Sequence, residues 1–263
     1  CDGDCDDNDG GRYLGNEEIC DYVDNNCSGY VDDTDSDGDG HSPCESGGDC
    51  NDADPLAHPV VFDEGAPEGG DGSVEHPYST WDDALEGLDE ICRTVMVSPG
   101  THHVEVGWAG GFVRIKGAGR YPEDVTLKPW SGSAARLFRL YPGSSMELIN
   151  MTMFNAFEES GGSVVYANLA ELLLQDLVMI DNQSNAAGGA VFMEVGVLQA
   201  IDCEFSYNAT GASGGAVHVA NSVFSDSGSK YVANQALLGG GLMLDGAEAV
   251  LSDLYFGSNF AGD

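Results

Sequence analysis

Asp24, Asn26, Ser28, Tyr30, Asp32 and Asp35 occupy positions 1, 3, 5, 7, 9 and 12 of one run, with Gly29 at position 6. This is the spacing by which an EF-hand loop aims side-chain oxygens and one backbone carbonyl at a single Ca²⁺. Gly29 supplies the sharp turn, Tyr30 would contribute its carbonyl, and Asp35 closes the loop where Glu is usual. A second run opens where the first ends, with Asp35, Asp37, Asp39, Gly40 and His41, the last offering its carbonyl rather than its ring. Its closing carboxylates are expected from Asp49, Asp52 or Asp54. Asp4, Asp6 and Asp9 read as the tail of a similar unit, since 4–9 (DCDDND) aligns with 49–54 (DCNDAD). Ca²⁺ is therefore the expected cofactor. The bland alternative is a solvated acidic linker. Against it, close carboxylates repel unless a cation sits between them.

What must position these loops is unusual. Residues 1–54 hold eighteen Asp or Glu and a single base, Arg12, with few large apolar side chains to form a core. Six of the eight cysteines fall here or just at its edge: Cys1, Cys5, Cys20, Cys27, Cys44 and Cys50. Dense cysteines in a core-poor segment read as a disulfide framework made in an oxidising compartment. Short clips are suggested (Cys1–Cys5, Cys20–Cys27 and Cys44–Cys50), although the sequence leaves every other pairing open. No CxxC pair supports zinc. Over the whole chain the formal charge is −36, from 45 acidic and 9 basic residues. That excludes nucleic acid and an anionic membrane surface as partners. No transmembrane stretch is visible, so no direct membrane insertion is expected.

The runs 4–7 (DCDD), 18–21 (EICD), 24–29 (DNNCSG) and Val31-Asp32 resemble the metal-binding motif repeats of the MopE type, named after a bacterial copper-binding surface protein. The resemblance covers about residues 1–55 and implies a secreted or cell-surface bacterial protein. The copper label fits these residues poorly, because copper selects soft or imidazole ligands. His41 is the only histidine of the repeats, and Met is absent from them.

The remainder is repetitive. Gly-Gly starts at Gly161, Gly188, Gly214 and Gly240, and Asn recurs at Asn155, Asn182, Asn208, Asn234 and Asn259. The period is about 26 residues, with short alternating apolar runs between. Such a repeat indicates a solenoid whose coils bury their faces only against one another. The five Asn are expected to stack as a structural ladder at one turn, and the Gly pairs to turn a tight corner. This half resembles right-handed parallel β-helices of the pectin-lyase-like class, especially the repeats of bacterial polymorphic outer-membrane proteins. The resemblance implies six to seven coils with a capping helix at the open end, where Thr80 and Asp83 form a near capping box.

The expected architecture is all-β. Residues 1–55 form a small, irregular, disulfide-clipped Ca²⁺ module and 56–75 a linker. Residues 76–263 form the parallel β-helix, continuing beyond the segment. Opening inside a motif at Cys1 and stopping in mid-pattern at Asp263, the chain reads as part of a longer protein. Cys92 and Cys203, several coils apart, are expected as buried thiols.

Catalysis is not expected. Asp176, Asp202 and Asp253 recur six residues before a ladder Asn, and a position that repeats is explained by the repeat. His102 and His103 are adjacent on a strand and face opposite ways. Arg114 and Lys116 could form a small basic patch with Arg139. The function expected is a calcium-binding structural or adhesive scaffold, whose partners are other copies, surface proteins or a polysaccharide. A polysaccharide-binding or lyase-like β-helix is the first alternative, favoured by an aromatic row on one face. Surface copper capture is the second.

Overall fold

The computed structural model describes residues 5, 11–16, 23–28, 50, 57–130 and 135–262. From residue 57 onward the chain winds into a parallel β-solenoid of about 6 turns with almost no helix. Successive coils pair strand on strand in an unbroken register: Leu172 lies on Leu198, Met179 on Phe205 and Val191 on Val217. The alternation read from the sequence sets the inside. Along Val165–Ile180 the buried residues include Leu172, Leu174, Leu177 and Met179, with Glu171, Leu173, Gln175 and Val178 more exposed between and beside them. Stacking like on like fills the lumen, as in the column Met153, Met179, Phe205 and Tyr231. Phe205 stacks on Tyr231 with ring centroids 4.9 Å apart, and Tyr231 on Phe256 at 4.8 Å. Each such side chain contributes roughly 1.5–3 kcal/mol by leaving water.

The corners are columns of residues with positive φ. Asn150, Asp176, Asp202, Gly228 and Asp253 form one, and Asn155, Asp181, Tyr207, Ala233 and Ser258 another. Asp, Asn and Gly tolerate this left-handed conformation best, which accounts for the recurring Asp176, Asp202 and Asp253. At the Gly-Gly corner the two glycines act differently. Gly188 has φ +71° and a Cβ there would meet the Val191 carbonyl of its own coil, whereas a Cβ on Gly189 would collide with the Gly215 carbonyl of the next coil.

The ladder is present, but with four rungs rather than five. Asn182 Nδ2 donates to Asn208 Oδ1 (3.0 Å), Asn208 to Asn234 (3.0 Å) and Asn234 to Asn259 (2.9 Å). Each accepting amide also takes the backbone N–H of the Asn before it. Asn155 is not in this column. Ala156 holds the equivalent place, its N–H donating to Asn182 Oδ1 at 3.0 Å, and Asn155 is the corner residue with φ 56°. The longer interval before Asn182 reflected a change of position.

The solenoid starts earlier than expected. Val60–Phe62, inside the stretch read as a linker, is a buried strand paired in parallel with Thr94–Val97. The helix Trp81–Glu86 follows, with Thr80 Oγ1 accepting from the Asp83 N–H at 3.1 Å. Its buried Ala84 and the Trp81 ring, stacked on Phe62 at 4.2 Å, pack it against this first coil. No helix among the described residues is long and apolar enough to cross a membrane.

A carboxylate breaks the apolar rule of the lumen. Asp226 stands in the register of Ala200 and is buried. Its Oδ2 accepts from Tyr231 Oη at 2.6 Å, while Oδ1 has no protein partner. Burial pushes its carboxyl above the usual carboxylate range. Cys203 is buried and free as expected, its thiol pushed up to about 12 by burial.

Two outcomes are expected. Asn208→Ala should cost roughly 1–3 kcal/mol by leaving buried amides unpaired, whereas Asn155→Gly should be close to neutral; chemical denaturation measures both. A carboxyl raised in the folded state supports stability below its unfolded value, and that support is lost as pH rises through the folded one. The stability advantage of Asp226→Asn over wild type should therefore grow from acid to neutral pH in melts across that range.

Candidate metal-binding module and its attachment

In the first segment, Cys5 is bonded to Cys27 and Cys50 to Cys92. These pairings correct the short clips: Cys5 does not join Cys1, Cys27 does not join Cys20, and Cys50 does not join Cys44. Cys92 is buried as expected but is not a thiol. The physical reason is that each bond ties strands of chain distant in sequence, where a core would otherwise be needed. Cys1, Cys20 and Cys44 lie outside the described residues.

The Cys5–Cys27 bond brings the start of the chain against the opening of the first loop. Tyr13 N–H donates to Asn25 O (3.2 Å) and Cys5 N–H to Arg12 O (3.2 Å), so 11–16 lies alongside 23–28. Cys27 takes φ 61°. This bend lets the Ser28 N–H donate to both Asp24 Oδ1 (3.1 Å) and Asn26 Oδ1 (2.8 Å). The oxygens at loop positions 1 and 3 are thereby gathered about the residue at position 5. All are hard donors, the class that Ca²⁺ takes, and both sulfurs nearby are oxidised and so unavailable as thiolates. Tyr30, Asp32, Asp35, Asp37, Asp39, His41, Asp49, Asp52, Asp54, Asp4, Asp6 and Asp9 lie outside the described residues. Among the described residues no group of three or more His, Cys, Asp or Glu is placed to hold a metal.

The second bond fastens the acidic segment to the solenoid. Cys92 is buried just before the strand Thr94–Val97, and the Cys50 N–H donates to Ala57 O at 3.0 Å. Another clamp holds the same junction. Glu64 Oε2 accepts from the His103 N–H at 2.6 Å, and its Oε1 lies 3.0 Å from His103 Nδ1. The Glu64 N–H donates to His102 Nδ1 at 3.3 Å, and His102 Nε2 meets Ser98 O at 2.8 Å. The two histidines do face opposite ways, His102 buried and His103 half-buried, yet one glutamate engages both. Periodicity could not reveal Glu64, because it comes from a different segment.

The basic residues are placed less simply than a solvated patch. Arg114 Nε donates to Glu147 Oε2 at 2.7 Å. Lys116 is 8 % exposed, and burial draws its ammonium down to about 8. It lines a lateral groove of about 930 Å³ with Arg120, Asp176, Asp202 and Lys230. Arg139 is elsewhere: its strand pairs with Val106–Trp108 and Val165–Ala167, not with Phe112–Gly117.

Compared with known proteins, residues 4–33 and 49–68 match the family model of the Cu-binding MopE metal-binding motif. No curated protein and no solved structure matches the chain. The match falls on the segment that carries the Cys5–Cys27 bond and the Asp24–Ser28 turn. The chain thus joins a segment that matches a metal-binding motif to a β-solenoid.

The Cys50–Cys92 bond predicts a particular proteolysis result. After a single cut between residues 51 and 56, the acidic fragment should stay with the solenoid on a non-reducing gel. It should separate once thiol reductant is added.

Proposed function

We propose that the chain is an extracellular or cell-surface calcium-binding scaffold without catalytic activity, in which metal and disulfides stiffen the acidic segment and the solenoid serves adhesion or assembly. The observation that carries this reading is the donor set at the matched motif. Asp24, Asn26 and Ser28 supply oxygen, and the nearby Cys5 and Cys27 are consumed in a disulfide. Asp24, Asn26, Ser28, Tyr30, Asp32 and Asp35 would hold one Ca²⁺, and the run from Asp35 to Asp54 a second. The ion would neutralise carboxylates that otherwise repel. Extracellular modules bind Ca²⁺ at about 10⁻⁴–10⁻³ M, and tenfold saturation adds about 1.4 kcal/mol per site.

Copper capture is the rival that the family label favours. It would need soft or imidazole donors, and the repeats offer His41 alone and no Met.

Plasma mass spectrometry on protein dialysed to equilibrium against about 1 mM Ca²⁺ and about 0.1 mM Cu²⁺, counting the excess over the dialysate, separates the two. The expected result is two or more Ca²⁺ per chain with little copper, and one fewer in Asp24→Ala. Chelation should also speed hydrogen exchange across residues 21–54. Stoichiometric copper, or no metal at all, would overturn the proposal.

A further inference from the structure

A lysine is almost never buried without a partner, and Lys116 is. It is 8 % exposed, and among the described residues it makes no hydrogen bond and no ion pair. The repeat does not ask for a cation there. The same column holds Ile149 on the next coil and Gln175 on the one after.

Lys116 lies in the wall of the lateral groove of about 930 Å³, which has room for a small molecule. The opposite margin, from Gly119 to Pro122, is pinned in place. Asn150 Nδ2 donates to Gly117 O (3.2 Å) and Gly119 O (2.5 Å), and Thr152 Oγ1 to Pro122 O (3.0 Å). Arg120 and Lys230 also line the groove. Arg114 and Arg136 are ion-paired with Glu147 and Glu158, whereas among the described residues neither Arg120 nor Lys230 is paired. This holds although Asp176, Asp202 and Glu204 share the same walls. One groove thus gathers three unpaired cations in a chain with 45 acidic and 9 basic residues.

We propose that Lys116 captures a small carbonyl compound bearing a carboxylate, an aldehyde acid or 2-oxo acid, as an imine, with Arg120 and Lys230 receiving the carboxylate. The Nζ lone pair bonds to the carbonyl carbon. The carbonyl oxygen takes the two N–H protons and leaves as water as the C=N bond forms, so neither oxidant nor reductant is needed. Burial and the nearby Arg114 charge lower the Lys116 ammonium to about 8, against an opposing pull from Asp176. Desolvation and a neighbouring cation are the two ways of freeing a lysine's lone pair for this chemistry. A site for a simple anion is disfavoured, because it would gain from an ammonium that stays charged. Capture is stoichiometric, and it stands apart from the metal reading.

The test is reductive trapping on the whole chain with glyoxylate or acetaldehyde at about pH 7.5. Cyanoborohydride gives hydride to the imine carbon and fixes the adduct, which peptide mass mapping locates. The chain has three lysines, Lys116, Lys128 and Lys230, of which Lys116 is the least exposed. Glyoxylate should nevertheless label Lys116 about tenfold faster than either of the others. Labelling at Lys116 should level off above about pH 8 while theirs still rises. Normalised to Lys128, Lys116 should prefer glyoxylate to acetaldehyde about fivefold, and the double variant Arg120→Gln, Lys230→Gln should lose that preference. Both substituted positions are exposed, circular dichroism checks the fold, and the comparison among lysines needs no variant. Labelling of Lys116 no faster than of Lys128 and Lys230 would overturn the proposal. So would equal reaction with acetaldehyde, or a glyoxylate preference that survives in the double variant.

Discussion

Every coil of this solenoid must retrace the path of the coil before it at the strand spacing of about 4.8 Å. Most of the structure follows from that one constraint. A corner that needs positive φ in one coil needs it in all, so Asn150, Asp176, Asp202, Gly228 and Asp253 share a conformation though not a side chain. A buried amide can be satisfied along the axis only if the next coil offers one at the same place, which is why Asn182, Asn208, Asn234 and Asn259 come as a set. The same constraint makes the lumen unforgiving. Asp226 sits where Ala200 sits one coil earlier, and Tyr231, reaching across the corner, donates to its carboxyl.

The acidic segment obeys a different rule. With so many carboxylates and so few apolar side chains, its composition offers little from which to build a core. Covalent bonds take that role: Cys5–Cys27 folds the segment on itself and Cys50–Cys92 fastens it to the first coil. Glu64, gripped by His102 and His103, secures the chain just after the second bond. The junction is therefore fixed at two points rather than hanging on a loose tether.

These two rules also explain what was legible in the sequence. The solenoid, its Gly-Gly corners, the helix capped by Thr80 and four ladder residues were readable because each is repeated or local. Asn155 was misplaced because type was read without register: one residue separates a ladder site from a corner, and Asn suits both. The disulfides were misread because nearness in sequence stood in for nearness in space. Cys92, surrounded by solenoid sequence, carried no sign that it belonged with Cys50. Val60–Phe62 was hidden among Pro and Gly, and only its partner Thr94–Val97 makes it a strand. The turn in which the Asp24 and Asn26 oxygens accept from the Ser28 N–H was not specified by the loop spacing, which speaks only of oxygens aimed at a cation.

A position that follows the repeat is accounted for by the repeat, so chemistry must be sought where the repeat is broken. From residue 145 onward the breaks are few, Asp226 chief among them, and it faces the lumen where no large ligand can reach. The first coils are otherwise. They hold the Cys92 bond, the Glu64–His103 clamp, the exposed Trp130 and Tyr141, and the buried Lys116. None of these belongs to a column that runs the length of the solenoid. The regular coils extend a surface, while the irregular first coils, next to the segment that matches a metal-binding motif, carry side chains that no repeat explains.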